Sequence, residues 1–226
     1  MDMTQDSGEK TTQRSALSGL YVILDPSVCP DRSLSDVLKE SAEAGTKLFQ
    51  YRNKQASMKA AYEEALPLRK IAHELGVLFI VNDRCDLALA VEADGVHLGQ
   101  GDLPLHYARK LMGPEKLIGI STHTPEQVVA TATGSPDYLG FGPILKPGSK
   151  VDHDPVVGID GLREVRRLTT LPIFAIGGIG LGQVEEVVQA GANGVAVISA
   201  ILRAPDIRQA VSDFVARISA AASPAS

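Results

Sequence analysis

Short apolar runs recur along this chain, and they alternate with segments in which apolar residues return every three or four positions. Unbroken apolar runs are typical of strands buried on both faces of a parallel sheet, whereas the second pattern is typical of amphipathic helices. The eight predicted strands are residues 19–24, 46–51, 77–81, 95–98, 116–120, 137–141, 172–176 and 194–198.

A helical segment is predicted after each strand, with ordinary start and stop signals. Gly45 and Gly76 stop the first two helices, and Thr124-Pro125 is typical of a helix start with proline at the first position. Eight such units without a break in composition predict a single (β/α)₈ TIM barrel over residues 19–218. A doubly wound open sheet is the alternative, but eight regular units favour closure.

The two ends of the chain and its cysteines indicate a cytoplasmic protein. Residues 1–18 are polar and contain no apolar segment, so we expect a disordered tail rather than a signal peptide, and residues 219–226 are predicted to be a second tail. No apolar run approaches the roughly 20 residues that span a bilayer. Cys29 and Cys85 are the only cysteines and lack the CxxC spacing, which is typical of reduced thiols.

Composition argues against a nucleic-acid partner. The net charge is −5, only 4% of residues are aromatic and tryptophan is absent, so neither a basic field nor stacking platforms are expected. An anionic ligand must therefore be held by local lysine and arginine side chains or by a metal ion.

Polar residues follow the predicted strands at their carboxyl ends, where barrels place their chemistry. Gly177 to Gly180 precede a helix after the seventh strand, a position typical of a phosphate site, which Ser199 after the eighth strand would complete. The alternative is a plain tight turn.

Two further groups of residues indicate diphosphate and metal binding. Gln50, Arg52 and Lys54 alternate on an extended chain and point to one side, which suits a diphosphate and a neutral polar ring; the alternative is a solvated basic loop. Asp83 and Asp102 follow neighbouring strands without a repeated His or Cys, and oxygen-only ligation of this kind suits Mg²⁺. Taken separately, each carboxylate is typical of a turn or an ion pair.

Three further polar residues near these strands receive separate interpretations. His97 lies inside a strand, and we interpret it as a hydrogen-bonded core residue. His123 lies at a strand end, where it could carry a proton. Arg84 could bind an anion or form a structural ion pair with a neighbouring aspartate.

Over residues 19–218 the chain resembles the thiamine-phosphate synthase family, which includes thiazole tautomerases. The motifs that carry the resemblance keep the family's order and spacing, and in one-letter code they are QYRNK at 50–54, NDR at 82–84, DGVHLGQGD at 94–102, ISTH at 120–123, DYLGFGP at 137–143, IGGI at 176–179 and VISAI at 197–201.

The resemblance implies a transferase of thiamine biosynthesis that joins a hydroxymethylpyrimidine diphosphate to a thiazole phosphate. Pyrophosphate would be released with the help of Mg²⁺, in a reaction where the diphosphate leaves before the thiazole nitrogen attacks. A site that stabilises a departing polyanion needs cations and a metal ion more than it needs a nucleophile.

The resemblance also implies a role for individual residues. Arg52, Lys54 and Lys150 would be catalytic, and Asp83 and Asp102 would bind Mg²⁺. The pyrimidine diphosphate would contact Gln50, Tyr51, Arg52, Asn53, Lys54, Asn82, Ser121 and Lys150. The thiazole phosphate would contact Ser149, Gly177, Gly178, Ile198 and Ser199.

One departure from the family pattern affects the thiazole phosphate site. The family usually has Thr-x-Thr-Lys after Gly142-Pro143, and here Pro147 takes the place of the first threonine, so one phosphate contact is missing.

Two other functions compete with the synthase interpretation. A thiazole tautomerase would use a histidine placed like His123 and would leave Gln50, Lys54 and Asp102 without a role. A non-catalytic ligand-sensing barrel is the third interpretation. In each case we expect small-molecule ligands, no membrane partner and possible homo-oligomers.

Overall fold

The computed structural model describes residues 17–131, 133–146 and 155–223. Its eight strands are short and follow the predicted apolar runs closely. They are β1 (Gly19–Leu24), β2 (Leu48–Tyr51), β3 (Leu78–Asn82), β4 (Gly95–Leu98), β5 (Leu117–Thr122), β6 (Tyr138–Phe141), β7 (Ile173–Ile176) and β8 (Gly194–Val197).

Helices follow the strands, and three of them begin with a clear cap. Ser33, Ser57 and Asp206 each accept a hydrogen bond from a first-turn backbone N–H, which satisfies a donor without a partner inside the helix. The helices are α1 (Leu34–Glu43), α2 (Met58–Glu74), α3 (Cys85–Ala90), α4 (Leu105–Met112), α5 (Pro125–Thr131), α6 (Gly158–Arg166), α7 (Val184–Gln189, after a 3₁₀ turn at Leu181–Gln183), α8 (Ser199–Leu202) and α9 (Ile207–Ala222).

The eight strands form one closed parallel barrel in sequence order, with β1 hydrogen-bonded to β8. Tyr21 of β1 pairs with Leu48 of β2 on one side and with Ala196 of β8 on the other, so the sheet has no free edge. The predicted (β/α)₈ barrel is therefore confirmed, and the open-sheet alternative is wrong.

Alternate residues of each strand belong to two different apolar layers. Tyr21 and Ile23 of β1 pack inside the barrel with Phe174 of β7, whereas Val22 and Leu24 pack outward beneath the helices. Because successive side chains of a strand point to opposite faces, the barrel has an inner core and an outer one.

Three structural features differ from the sequence prediction. Helix α8 is only four residues long, too short to produce a helical period in the sequence. Leu17 was predicted to lie in the N-terminal tail, but it is buried in the inner core, and α9 continues past Ile218 to Ala222. The barrel therefore extends beyond both predicted boundaries, while residues 1–16 and 224–226 lie outside the described part of the chain.

The amino-terminal mouth of the barrel contains three equivalent clamps, each of which ties two strands and a helix together. Asp137, just before β6, accepts from the backbone N–H of Ile118 in β5 at 2.9 Å and from Arg109 of α4 at 2.6 Å. Asp94, before β4, accepts in the same way from Phe79 and from Arg69 of α2.

The third clamp uses an amide instead of a carboxylate. Asn193 Oδ1, before β8, accepts from the N–H of Ile173 at 3.0 Å and from Arg166 of α6 at 3.1 Å. Since each clamp joins an odd strand to the residue that precedes the next even strand, it fixes the register between them.

We predict that Asp137→Ala destabilises the barrel strongly. The substitution leaves Arg109 and the N–H of Ile118 without their common acceptor, and breaking a buried charged pair costs about 3–5 kcal/mol. Asp137→Asn should cost less, since Asn193 fills the equivalent place. Urea unfolding measures both, with the exposed Asp160→Ala as the control. Equal stability of Asp137→Ala and Asp160→Ala would contradict the clamp.

Candidate active site

A cavity of about 380 Å³ opens at the carboxyl ends of the strands. Five strands contribute predicted site residues to its wall, because parallel strands end at one mouth of the barrel. The predicted residues that line it are Gln50, Arg52, Lys54, Asn82, Asp83, Asp102, Ser121 and Ile198, together with His97 and His123.

The other residues of the QYRNK motif point away from this cavity. Tyr51 is fully buried in the outer core and donates to Glu64 of α2 at 2.6 Å, and Asn53 donates to the same carboxylate at 2.9 Å. The strand alternation that turns Gln50 inward turns Tyr51 outward. These two side chains anchor the end of β2 to α2, and their expected substrate contacts stay a prediction.

Both predicted cations of this motif are already paired with carboxylates. Arg52 forms an ion pair with Asp25, which is only 3% exposed and also accepts from Ser27. Lys54 Nζ lies 3.1 Å from Asp83 Oδ2. Asp25 was not identified from the sequence, although its place after β1 was a signal for it.

The two predicted metal ligands are neighbours, as expected for residues after β3 and β4. Burial raises the pKa of Asp102, and the hydrogen bond and negative charge of Asp83 raise it further, against a hydrogen bond from the Gly99 N–H at 2.7 Å. Asp83 has a φ of 63°, a left-handed conformation that costs energy in a residue other than glycine. Strain of this kind is concentrated at functional sites.

Below these charges, a hydrogen-bonded chain crosses the inside of the barrel. Gln50 Nε2 donates to Tyr21 at 2.7 Å, and the Tyr21 and Tyr138 hydroxyls are 2.9 Å apart. His97 links Tyr138, 3.2 Å from its Nδ1, to Ser121, 2.9 Å from its Nε2. The sequence analysis missed both tyrosines, although their inward places on β1 and β6 were a signal.

His97 is the hydrogen-bonded core histidine that the sequence predicts. Burial lowers its pKa from 6.5 to about 4, against a smaller opposing effect of the Asp102 charge, so the imidazole is neutral at pH 7. Arg84 pairs with Asp86 at 2.6 Å, which confirms the structural interpretation of this arginine.

His123 lines the cavity in a fixed orientation. Its Nδ1 lies 2.6 Å from the carbonyl oxygen of Gly142, which can only accept, so Nδ1 carries a proton. Its backbone N–H donates to Gln127 at 2.7 Å.

The predicted phosphate residues lie at the ends of the neighbouring strands β7 and β8. Gly177 and Gly178 have φ values of 100° and 67°, and a Cβ on Gly178 would lie 2.7 Å from the backbone oxygen of Lys146, so only glycine fits this turn. Ser199 begins α8, the kind of short extra helix that barrels use in phosphate sites. Ser149, Lys150 and Pro147 lie outside the described residues.

Two searches of the described residues bear on metals and membranes. Over residues 17–131, 133–146 and 155–223, no group of three or more His, Cys, Asp or Glu side chains could hold a metal, so the Asp83–Asp102 pair has no third such ligand there. Within the same ranges, the helices are all too short or too polar to cross a membrane.

Comparisons with known proteins agree on one family. The family model described as thiamine monophosphate synthase matches residues 20–201. A thiamine-phosphate synthase of Chloroflexus aurantiacus is 43% identical over 200 residues, which is 88% of this chain and 92% of the relative. One of Methanospirillum hungatei is 45% identical over 196 residues, covering 87% and 95%.

A solved structure gives the same result. Thiamine phosphate pyrophosphorylase from Pyrococcus furiosus superposes with a TM-score of 0.83 at 35% identity, covering 93% of this chain and 99% of that one.

The neutral His97 predicts an acid-sensitive stability. Between pH 6.5 and about 4 the unfolded chain binds a proton at this residue and the native chain does not, so the free energy of unfolding falls as pH is lowered through this window. The loss reaches about 3 kcal/mol, at 1.36 kcal/mol per pKa unit. Urea unfolding from pH 4 to 8 measures it, and His97→Asn should flatten the slope. Equal slopes would contradict the assignment.

Proposed function

This chain belongs to the thiamine monophosphate synthase family, and we propose how its cavity performs the synthase reaction. The chain is a transferase that joins a hydroxymethylpyrimidine diphosphate to a thiazole phosphate, giving thiamine phosphate and pyrophosphate. The observation that carries the proposal is one cavity in which two amides, two cations, two carboxylates and a serine hydroxyl meet.

We place the two substrates on opposite parts of the mouth. The pyrimidine ring lies on Gln50, Asn82 and Ser121, with its diphosphate toward Arg52, Lys54 and Lys150. The thiazole phosphate lies on the glycine turn after β7 and the start of α8, with Ile198 and Ser149 beside it. This division is supported by the register of β7 and β8, which pairs Ile176 with Ala196 and brings the two loops together.

The carboxylate pair fits a Mg²⁺ ion. Asp83 and Asp102 are close enough to raise the pKa of Asp102, and an ammonium already sits 3.1 Å from Asp83, so a cation is favoured at this point. Carboxylate oxygens suit Mg²⁺, which keeps other positions for water and phosphate oxygens. When bound, the ion would neutralise the charge that develops on the departing diphosphate.

The chain's own residues act mainly through charge. The bond between the pyrimidine methylene carbon and the diphosphate oxygen breaks first, and the electron pair goes to the diphosphate. Arg52, Lys54 and Lys150 stabilise that leaving group, as preorganised cations stabilise charge that develops in a transition state. The lone pair of the thiazole nitrogen then forms the new bond to the methylene carbon, so no residue has to remove a proton from carbon.

Arg52 and Lys54 must exchange partners for this role. Each is paired with a carboxylate in the described structure, and the incoming diphosphate competes with Asp25 and Asp83 for them. The small-molecule substrates are the proposed partners. A cytoplasmic location and a homo-oligomer stay predictions.

We expect the chain, incubated with both substrates and Mg²⁺, to release one pyrophosphate for each thiamine phosphate formed. EDTA should stop the reaction and excess Mg²⁺ should restore it. His123→Ala should keep substantial activity, because the transfer needs no proton removal from carbon. If the wild type isomerises thiazole phosphate and makes no thiamine phosphate, the chain is a tautomerase instead; ligand binding without either reaction would favour a sensing barrel.

A second experiment tests the metal ligands without measuring turnover. Calorimetric titration should show that Asp102→Asn weakens Mg²⁺ binding in the presence of the pyrimidine diphosphate by at least about 10-fold. Mutation of residues that only hydrogen-bond to metal ligands already lowers metal affinity by this factor. Thiazole phosphate binding should not change. Asp160→Asn on exposed α6 is the control. Unchanged Mg²⁺ affinity in Asp102→Asn would remove this residue from the site.

A further inference from the structure

We propose that Tyr21, Tyr138 and His97 form a directional hydrogen-bond chain that positions Gln50 and Ser121 and makes the cavity select an amino group on the pyrimidine ring. The inference rests on the proposed function, since it concerns the ring of the same substrate. None of the three residues has to touch the reacting atoms, so they are positioning residues.

Four contacts build this chain, and every member except Ser121 is buried. From Gln50 to Ser121 the distances are 2.7, 2.9, 3.2 and 2.9 Å, and five different strands supply one residue each. Gln50 is 3% exposed and the tyrosines are at most 1% exposed, so water does not compete for these hydrogen bonds. Both ends, Gln50 and Ser121, line the cavity.

If every buried hydroxyl proton is to have an acceptor, this hydrogen-bond chain has only two arrangements. Each hydroxyl has one proton to donate, and a neutral imidazole donates from one nitrogen and accepts at the other. Since Gln50 Nε2 donates to Tyr21, Tyr21 donates to Tyr138 and Tyr138 donates to Nδ1 of His97. His97 then donates from Nε2 to Ser121, and the Ser121 proton is left for a ligand.

The opposite arrangement reverses every member at once. Ser121 would donate to Nε2 of His97, and the donors would run back to a flipped Gln50 amide whose Oε1 accepts from Tyr21. The hydrogen-bonding role of one end therefore cannot change without that of the other. With Gln50 Nε2 donating to Tyr21, the cavity offers a carbonyl acceptor at Gln50 and a hydroxyl donor at Ser121.

An aminopyrimidine matches the arrangement in which Gln50 donates to Tyr21. Its amino group donates and its ring nitrogens accept, so it can bind the Gln50 carbonyl and the Ser121 hydroxyl together. A 4-oxo ring of the same shape has an acceptor where the amino group stands. The Gln50 carbonyl cannot hydrogen-bond it, and a donor in the place of that carbonyl requires the amide to flip. The flip reverses the whole chain, so the oxo ring is rejected more strongly than by a free amide.

The barrel is built to keep the chain rigid. The rings of Tyr21, Tyr138 and Phe174 meet edge to face with centroids 5.2 to 5.9 Å apart. A Cβ on Gly119 of β5 would lie 2.2 Å from Cζ of Tyr138 and 2.4 Å from Nδ1 of His97, so a glycine is required there. The packed rings and Gly119 therefore keep the Tyr21 and Tyr138 hydroxyls within hydrogen-bonding distance.

The wild-type protein allows a direct test by nitrogen-15 NMR of the His97 ring. The peak is assigned among the five histidines by its absence in His97→Asn. With Mg²⁺ and the pyrimidine diphosphate, and no thiazole phosphate, we expect the proton on Nε2. With the 4-oxo isostere, we expect it on Nδ1. The same tautomer in both complexes would overturn the proposal.

Variants test the selectivity separately from turnover. Calorimetry with the aminopyrimidine diphosphate and with its 4-oxo isostere gives the ratio of their dissociation constants. Tyr21→Phe should reduce the preference for the amino ring about 10-fold, which corresponds to the free energy of one hydrogen bond. Tyr138→Phe should do the same, and the double variant should match either single variant because both break one chain. A merely structural loss would weaken both ligands equally and leave the ratio unchanged.

A matched control and the activity assay separate the possible failures. Thr131→Val deletes another buried hydroxyl, which donates to Val128 at 2.7 Å on α5, and it should keep the wild-type ratio. If thiamine phosphate forms but the ratio of dissociation constants in Tyr21→Phe equals that of the wild type, the proposal of a directional hydrogen-bond chain is wrong and the proposed function is retained. If no thiamine phosphate forms, the function is wrong, whatever the ratio.

Discussion

Strand register is the constraint on which the cavity depends. A shift of one residue in β2 would turn Gln50 outward and bring Tyr51 into the barrel, because successive side chains point to opposite faces. The three clamps at the amino-terminal mouth oppose shifts of this kind in the pairs β3–β4, β5–β6 and β7–β8, since Asp94, Asp137 and Asn193 each hold a backbone N–H of the neighbouring strand and an arginine of a helix. Chemistry at one mouth of the barrel therefore relies on hydrogen bonds at the other, which is the usual division of stability and function in this fold.

The charges at the carboxyl mouth are balanced before any substrate arrives. Arg52 is paired with Asp25, and Lys54 with Asp83, so neither cation is left without a counter-charge in a partly buried site. In the proposed function, the binding of a diphosphate with a metal ion is therefore an exchange of partners. A cation that takes Asp83 releases Lys54 for the phosphate oxygens, and a site organised in this way favours the two ligands together over either alone.

Much of this fold was predictable from the sequence. An apolar run predicts a buried strand, and the polar residues that follow it indicate the carboxyl end, where barrels place their sites. Helix α8 was not predictable, since four residues carry no period. Within the site, residue type and strand end identified Asp83, Asp102 and Ser121, but they did not distinguish Gln50 from Tyr51, whose side chains face opposite ways. The pairs Arg52–Asp25 and Tyr21–Tyr138 join residues 27 and 117 positions apart, and only the closed barrel brings them together.

The inner polar chain also explains why the barrel tolerates tyrosine, histidine and glutamine where an apolar core would be simpler. A buried polar group without a partner costs free energy, whereas a fully connected set does not and specifies one arrangement. Gln50, Tyr21, Tyr138, His97 and Ser121 satisfy one another through the barrel and leave their two free ends at the cavity. In the proposal, orientation at the ring is set by Tyr21, Tyr138 and His97 through Gln50 and Ser121, which separates the choice of ring from the charges that stabilise the leaving diphosphate.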